Sequence, residues 1–314
     1  MTQRLDPARP RIARRAVDGV LLLDKPVGLS SNDALMRAKR LFNAKKAGHT
    51  GTLDPLASGL LPLCFGEATK FSQDLLDADK TYDATLKLGV RTTTGDAEGE
   101  VLQTRPVTCD RAAIDAALTA FRGPIMQVPP MYSALKRDGK PLYAYARAGQ
   151  TLEREARAVT IHALACITCA LDVAASVTIR VTCSKGTYIR VLAEDIGEAL
   201  GCGAHLTMLR RTGVGALTLN DAVTLNELSD ADEPRRLACL QPVDALLSTF
   251  EPIELDAEMA RRFTHGQRLR LVRESNVGDD VRVRVYDADG RRLLGLGRWQ
   301  HGVLCPERLI APRS

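Results

Sequence analysis

The sequence predicts an α+β protein built on a mixed, largely antiparallel sheet, with a small β-rich unit at its C-terminal end. Three observations predict it. Residues 80–90 alternate strictly, with Tyr82, Ala84, Leu86, Leu88 and Val90 on one face and Thr81, Asp83, Thr85 and Lys87 on the other, the pattern of a half-buried strand. Two long β patterns follow each other at about 157–169 and 174–183, and strands adjacent in sequence pair as antiparallel hairpins. Helical stretches are interspersed among these strands.

Taken in order, GVLLLDKP at 19–26 reads as a short buried strand ended by proline. Ser31 or Asn32 then caps a helix with Leu35, Ala38, Leu41 and Phe42 on its inner face. Asp54 follows in a short loop, with Gly51 before it, Pro55 directly after it and Gly59 beyond. A residue before proline is held extended and glycines permit backbone angles that other residues resist, so the Asp54 side chain projects from a defined turn. By spacing alone this is an Asp-Pro surface turn. Asp110 caps a helix carrying Ile114, Leu118 and Phe121, closed by Gly123-Pro124. Residues 124–152 mix proline, lysine and tyrosine and read as an excursion from the core. After the two long strands, a helix runs from about Ile189 to Leu200 and ends at Gly201. Residues 221–250 are helical and loop-like, and a boundary is expected near 250. Beyond it, EMARRFTHG is a short helix and VRVRVYDADGRRLLGLGRW a hairpin turning at DADG.

A chain of 314 residues, 45% hydrophobic and 26% charged, is long enough for one large and one small domain. No stretch approaches the roughly 18 apolar residues of a membrane span, and the first residues lack the apolar core of a secretory signal, so the expected location is the cytoplasm. Eight cysteines at irregular spacing read as reduced thiols. Cys166 and Cys169 form a CxxC within a strand pattern, without a second pair to complete a zinc site, so no metal is expected. The net charge of +5 is unevenly spread: residues 1–50 carry eleven Lys or Arg against four Asp. Arg4, Arg9, Arg11, Arg14 and Arg15 form a basic arm over 1–18, read as flexible, while Arg37, Lys39, Arg40, Lys45 and Lys46 cluster on and after the first helix. Such clusters are the footprint of a polyanion partner.

Three segments in one order, DKPVGLSSN at 24–32, GHTGTLDPLASGLLPLCFGEATKFSQ at 48–73 and CSKGTYIRVLAEDIG at 183–197, resemble the TruB family of tRNA pseudouridine synthases. The resemblance runs from about Gly19 to about Gly213. It implies a catalytic domain over 19–250, in which the excursion clasps an RNA stem-loop, and a PUA-like RNA-binding domain over 251–314. It implies isomerisation of uridine 55 in the T-arm of tRNA, with the base flipped out of its stack. Asp54 becomes the catalytic residue and Arg190 the cation paired with it. His49, Tyr82, Tyr188 and Leu209 become substrate-binding residues, and Tyr82 is placed to assist removal of the C5 proton. Tyr188 and Arg190 share one side if their segment is extended, and a bidentate pair would aim the carboxylate. Lys25 and Pro26 support the catalytic loop, whereas Lys70, Arg210 and Arg211 are candidates for RNA contact.

The chemistry needs only one carboxylate. The N1–C1′ bond breaks, the base turns and C5 joins the same carbon, so no water is activated and no cofactor is required. The partner is tRNA, with monomer as the default state. A tRNA-folding chaperone without chemistry would share the basic front and the C-terminal unit, but would not need Asp54, Tyr82, Tyr188 and Arg190 together. A deaminase needs zinc motifs that this sequence lacks, and a glycosylase would release free uracil.

Overall fold

The computed structural model describes residues 13–172, 174–271 and 279–311. The chain opens with β1 (Gly19–Lys25), α1 (Ser31–Leu41), β2 (Ala47–His49), β3 (Ala57–Phe65), α2 (Ser72–Asp77) and β4 (Lys80–Leu88). A small hairpin, β5 (Val90–Thr92) and β6 (Val101–Thr104), leads to α3 (Arg111–Ala120) and β7 (Gly123–Gln127). An outlying hairpin of β8 (Lys136–Arg137) and β9 (Lys140–Pro141) precedes α4 (Leu142–Arg147). The chain returns through β10 (Arg157–Ala170), β11 (Ser176–Cys183), α5 (Ile189–Ala199), β12 (Ala204–Val214) and β13 (Leu217–Thr218). Helices α6 (Leu225–Asp230) and α7 (Glu233–Ala238) connect to β14 (Glu251–Leu255), α8 (Ala257–Thr264), β15 (Leu269–Arg270), β16 (Val281–Asp287), β17 (Leu293–Gln300) and β18 (Val303–Leu309).

The main sheet has the order β1-β3-β12-β4-β11-β10-β7, with β2 added to β3 and β13 to β12. Among the described strands of this sheet, only the β3–β12 pairing is parallel. On one face, Ala84 and Leu86 of β4 pack with Leu192 and Ile196 of α5 and Ile114 and Leu118 of α3, while Leu21 and Leu63 cover Ala38 and Phe42. On the other face, Val20, Leu22 and Leu60 pack with Phe71, Leu75 and Leu247, and this cluster takes in Leu296 of the second sheet. That sheet, β14-β16-β17-β18-β15, closes its own core on Phe263 of α8. The two units are also joined by polar contacts. Lys70 Nζ donates to Leu309 O at 3.0 Å, Ala311 N donates to Glu67 at 2.9 Å, and Tyr286 hydroxyl donates to Asp244 at 2.6 Å. Among the described residues no helix is long and apolar enough to cross a membrane.

Several local expectations change. Ser30, not Ser31 or Asn32, caps α1, accepting from Asp33 N, because the Ser31 hydroxyl is committed elsewhere. The basic arm lies outside the described residues as far as residue 12. From Ala13 onward the chain is docked: Arg15 donates to Phe42 O at 3.0 Å and pairs with Glu233, and Val17 is buried. Residues 123–127 belong to the main sheet, so the excursion begins after Gln127.

Gly59 fixes the parallel join. Its φ is +98°, and a Cβ there would lie 2.2 Å from Arg211 O. Gly59→Ala is therefore expected to cost about 3 kcal/mol or more by forcing β3 from β12, read as a fall of several degrees in melting temperature. An unchanged melting temperature would refute this account of the join.

Candidate active site

Asp54 sits between β2 and β3 at the first position of a tight turn closed by Ala57 N on Asp54 O at 3.0 Å, with Pro55 at the next position. The segment that precedes α1 braces this turn. Gly28 N donates to Pro55 O at 2.8 Å. The buried Ser31 hydroxyl accepts from Leu53 N at 2.7 Å and donates to Leu53 O at 3.0 Å. Leu53 itself is in the core, so the residue before Asp54 is fixed by both packing and hydrogen bonds. Ser31→Ala is expected to lower turnover about tenfold, with RNA affinity within about twofold, because the loop loses its anchor and not its charge. Single-turnover rates beside filter-binding titrations check this, and an equal loss in both would assign Ser31 to binding.

Arg190 is the second residue of α5, not part of an extended strand, so period-two reasoning does not relate it to Tyr188. Tyr188 precedes the helix, its N–H donating to the Gln127 side chain at 3.0 Å. The guanidinium is divided among four acceptors. Nη2 lies 3.0 Å from Asp54 Oδ2 and donates to Tyr132 O at 2.7 Å, while Nη1 donates to Thr94 O at 3.2 Å and lies 3.5 Å from Asp96 Oδ2. The Asp54 contact is thus single and not bidentate. Asp96, whose Oδ1 accepts from Glu98 N and from the Thr94 hydroxyl, is the second carboxylate on Arg190. The sequence reading missed it. Exposure separates the two acids: the Asp96 side chain is 5% exposed, that of Asp54 46%.

These groups open on a cavity of about 450 Å³ lined by Asp54, Tyr82, Tyr188, Arg190 and Leu209, five of the six sequence-predicted site residues. His49 lies at the end of β2, outside that lining, and its buried Nδ1 has no hydrogen-bond partner. Burial, reinforced by Arg211, holds its imidazole below the ordinary value and therefore neutral near pH 7. Burial pushes both the Tyr82 and Tyr188 phenols up. Lys25 is fully buried, donating to Pro26 O and Leu29 O, and burial pushes it down to about 8 while Asp54 opposes the shift. Lys80 also lines the cavity and is pushed down to about 8 by burial.

Of the three expected RNA contacts, one is buried and two are held in ion pairs. Arg211 is 1% exposed and donates to Leu60 O at 2.7 Å and Gly51 O at 3.3 Å, so it does not meet phosphate. Arg210 points to the opposite face and is held by Asp24 at 3.0 and 2.6 Å. Lys70 is tied to Glu67 and to Leu309 O. Cys166 and Cys169 are free thiols, and among the described residues no group of three His, Cys, Asp or Glu is placed to hold a metal.

Comparison with known proteins agrees with this architecture. Residues 39–189 match the family described as TruB family pseudouridylate synthase (N terminal domain), residues 190–248 the tRNA pseudouridylate synthase B C-terminal domain, and residues 252–310 pseudouridine synthase II TruB, C-terminal. A tRNA pseudouridine synthase B of Burkholderia mallei is 73% identical over 305 residues, 96% of this chain and 97% of that protein. One from Cupriavidus pinatubonensis is 64% identical over 99% of both. Among solved structures, a chain from a Cbf5-Nop10-Gar1 complex superposes with a TM-score of 0.73 at 26% identity, covering 94% of this chain and 85% of that one. A chain from an H/ACA RNP bound to a substrate RNA containing 2′-deoxyuridine gives 0.72 at 25%, covering 94% and 86%.

Proposed function

The chain belongs to the TruB family of pseudouridine synthases, isomerases that act on tRNA, and from that premise we propose that it converts uridine 55 of the T-arm to pseudouridine with Asp54 as its catalytic carboxylate. The observation that carries the assignment is the Asp54–Arg190 contact at 3.0 Å on the wall of a cavity also lined by Tyr82 and Tyr188. A carboxylate held beside a buried cation keeps its position when a flipped base displaces water from the pocket. Aromatic walls supply faces on which a base can stack, and the unpaired Nδ1 of His49 suits a residue that acquires neighbours only when RNA is bound.

In the reaction the N1–C1′ bond breaks, the uracil turns within the pocket, and C5 bonds to C1′. The proton on C5 leaves, with Tyr82 as the group beside it, and N1 gains one from solvent, so no atom is gained or lost overall. No cofactor is needed for these steps. Leu209 forms the pocket wall. The excursion after Gln127 is assigned to clasping the stem-loop and the C-terminal sheet to a PUA-like RNA-binding module, with the catalytic domain over 19–250. The protein is assigned to the cytoplasm and to a monomeric state.

Carbodiimide mapping of an unmodified tRNA transcript, before and after incubation with the protein, tests the reading. A new pseudouridine at position 55 is the expected result. Tight binding with every uridine unchanged would replace it with an RNA-folding chaperone, and free uracil in the supernatant would indicate a glycosylase.

A further inference from the structure

Among the described residues Arg211 is the largest fully buried side chain, and nothing in the reading above gives it a chemical role. It lies directly across β12–β4 from Tyr82 and across β12–β3 from Gly59, so one residue touches both strands that frame the pocket. Its Nε is fixed on Leu60 O at 2.7 Å and its Nη2 on Gly51 O at 3.3 Å, both neutral carbonyls. A guanidinium withdrawn from water with no carboxylate bonded to it is a costly arrangement unless the charge is used. The cavity it lines is also lined by Tyr82, its direct cross-strand partner, and side chains paired across adjacent strands lie on one face of the sheet close enough to interact.

We propose that Arg211 is a positioning residue for Tyr82: it aims the phenol oxygen into the pocket and favours the phenolate that takes the C5 proton. The proposal rests on the reading of this cavity as the pseudouridine-forming site. In that step the C5–H bond breaks, its electron pair returns to the uracil ring, and the phenolate becomes a phenol, which later releases the proton to solvent. Burial pushes the Tyr82 phenol up, and Arg211 is the first group opposing that shift.

The groups around Tyr82 make this attribution specific. Cys183 on β11 is a thiol pushed up to about 11 by burial and stays neutral. Asp54 disfavours the phenolate. Lys80, on the strand of Tyr82 itself, is turned to Leu76 O at 2.6 Å and Ala78 O, and Lys185 to Asp77 at 2.8 Å. On α5, Arg190 is shared between Asp54 and Asp96, and Tyr188 carries no charge near neutrality.

The test uses full-length protein carrying Arg211→Gln or Arg211→Lys, each with and without Tyr82→Phe, in single-turnover reactions on unmodified tRNA across pH. Arg211→Gln is expected to lose about tenfold or more in rate with RNA affinity within about twofold, and to shift the rising limb of the pH profile up by about one unit, since a phenol without its cation ionises later. Arg211→Lys should recover part of both effects, and in the Tyr82→Phe background Arg211→Gln should change the rate less than about twofold. Equal losses in both backgrounds, or an unmoved pH profile, would reduce Arg211 to a structural brace and overturn the proposal. Full activity of Tyr82→Phe would also overturn it, while leaving pseudouridine formation by the wild type intact. If Arg211→Gln does not fold, the neutral Arg211→Met replaces it, and the phenolate absorbance of wild type minus Tyr82→Phe, compared with the same difference in the Arg211→Met background, reads the ionisation directly. Identical midpoints would refute the role.

Discussion

Asp54→Asn is expected to abolish turnover, by about 10,000-fold or more in a single-turnover reaction, while RNA affinity stays within about threefold. Asparagine preserves the size of the side chain and the Pro55 turn that carries it. Its amide has neither the charge to act as nucleophile or base nor the attraction for Arg190 that aims it. The substitution leaves the basic residues on and after α1 unchanged, so binding and chemistry are expected to separate. Carbodiimide mapping gives the rate and filter binding the affinity. Retention of more than about one per cent of the wild-type rate would remove Asp54 from the mechanism.

Arg190→Met is expected to have the second largest effect, and to act in two ways. Turnover should fall about 100-fold or more, because Asp54 loses the cation that orients it. Stability should fall by about 3 kcal/mol or more, and the cause is not Asp54, which is open enough to be rehydrated, but Asp96, which is left buried without its cation. The two effects separate in the double variant Arg190→Met with Asp96→Asn, which removes the stranded charge. Its melting temperature should recover most of the loss, whereas its turnover should not recover. Recovery of neither would show that the guanidinium matters mainly through its bonds to Thr94 O and Tyr132 O.

Part of this site was legible, and most of that through the resemblance: the motifs singled out Asp54 and Arg190, which by spacing alone read as a surface turn and a surface cation, and the structure brings them within 3.0 Å. The strand that carries Tyr82 was legible from alternation alone. Asp96 was missed because TTGDAEG reads as an ordinary turn and nothing local links it to a residue on α5. Ser31 was taken for a helix cap, a role any of three neighbouring polar residues could fill. Its true partner, Leu53, lies 22 residues away. Arg211 was misread although a signal was present. Once Leu209 is placed on the pocket wall, alternation along β12 sends Arg210 to the opposite face and Arg211 inward, so the two could not both meet phosphate. The helical position of Arg190 was equally available from the periodicity of 189–200, which conflicts with an extended reading of GTYIR.

The parallel pairing of β3 with β12 also has a consequence in time. Asp54 emerges from the ribosome early, but Arg190, Leu209 and Arg211 follow roughly 140 to 160 residues later. At about 5–20 residues per second the nascent chain spends on the order of ten seconds with its carboxylate loop made and its cations not yet synthesised. Truncated chains ending before β12 lack Leu209 and Arg211 and the strand on which β3 rests, and are expected to be inactive in the carbodiimide assay.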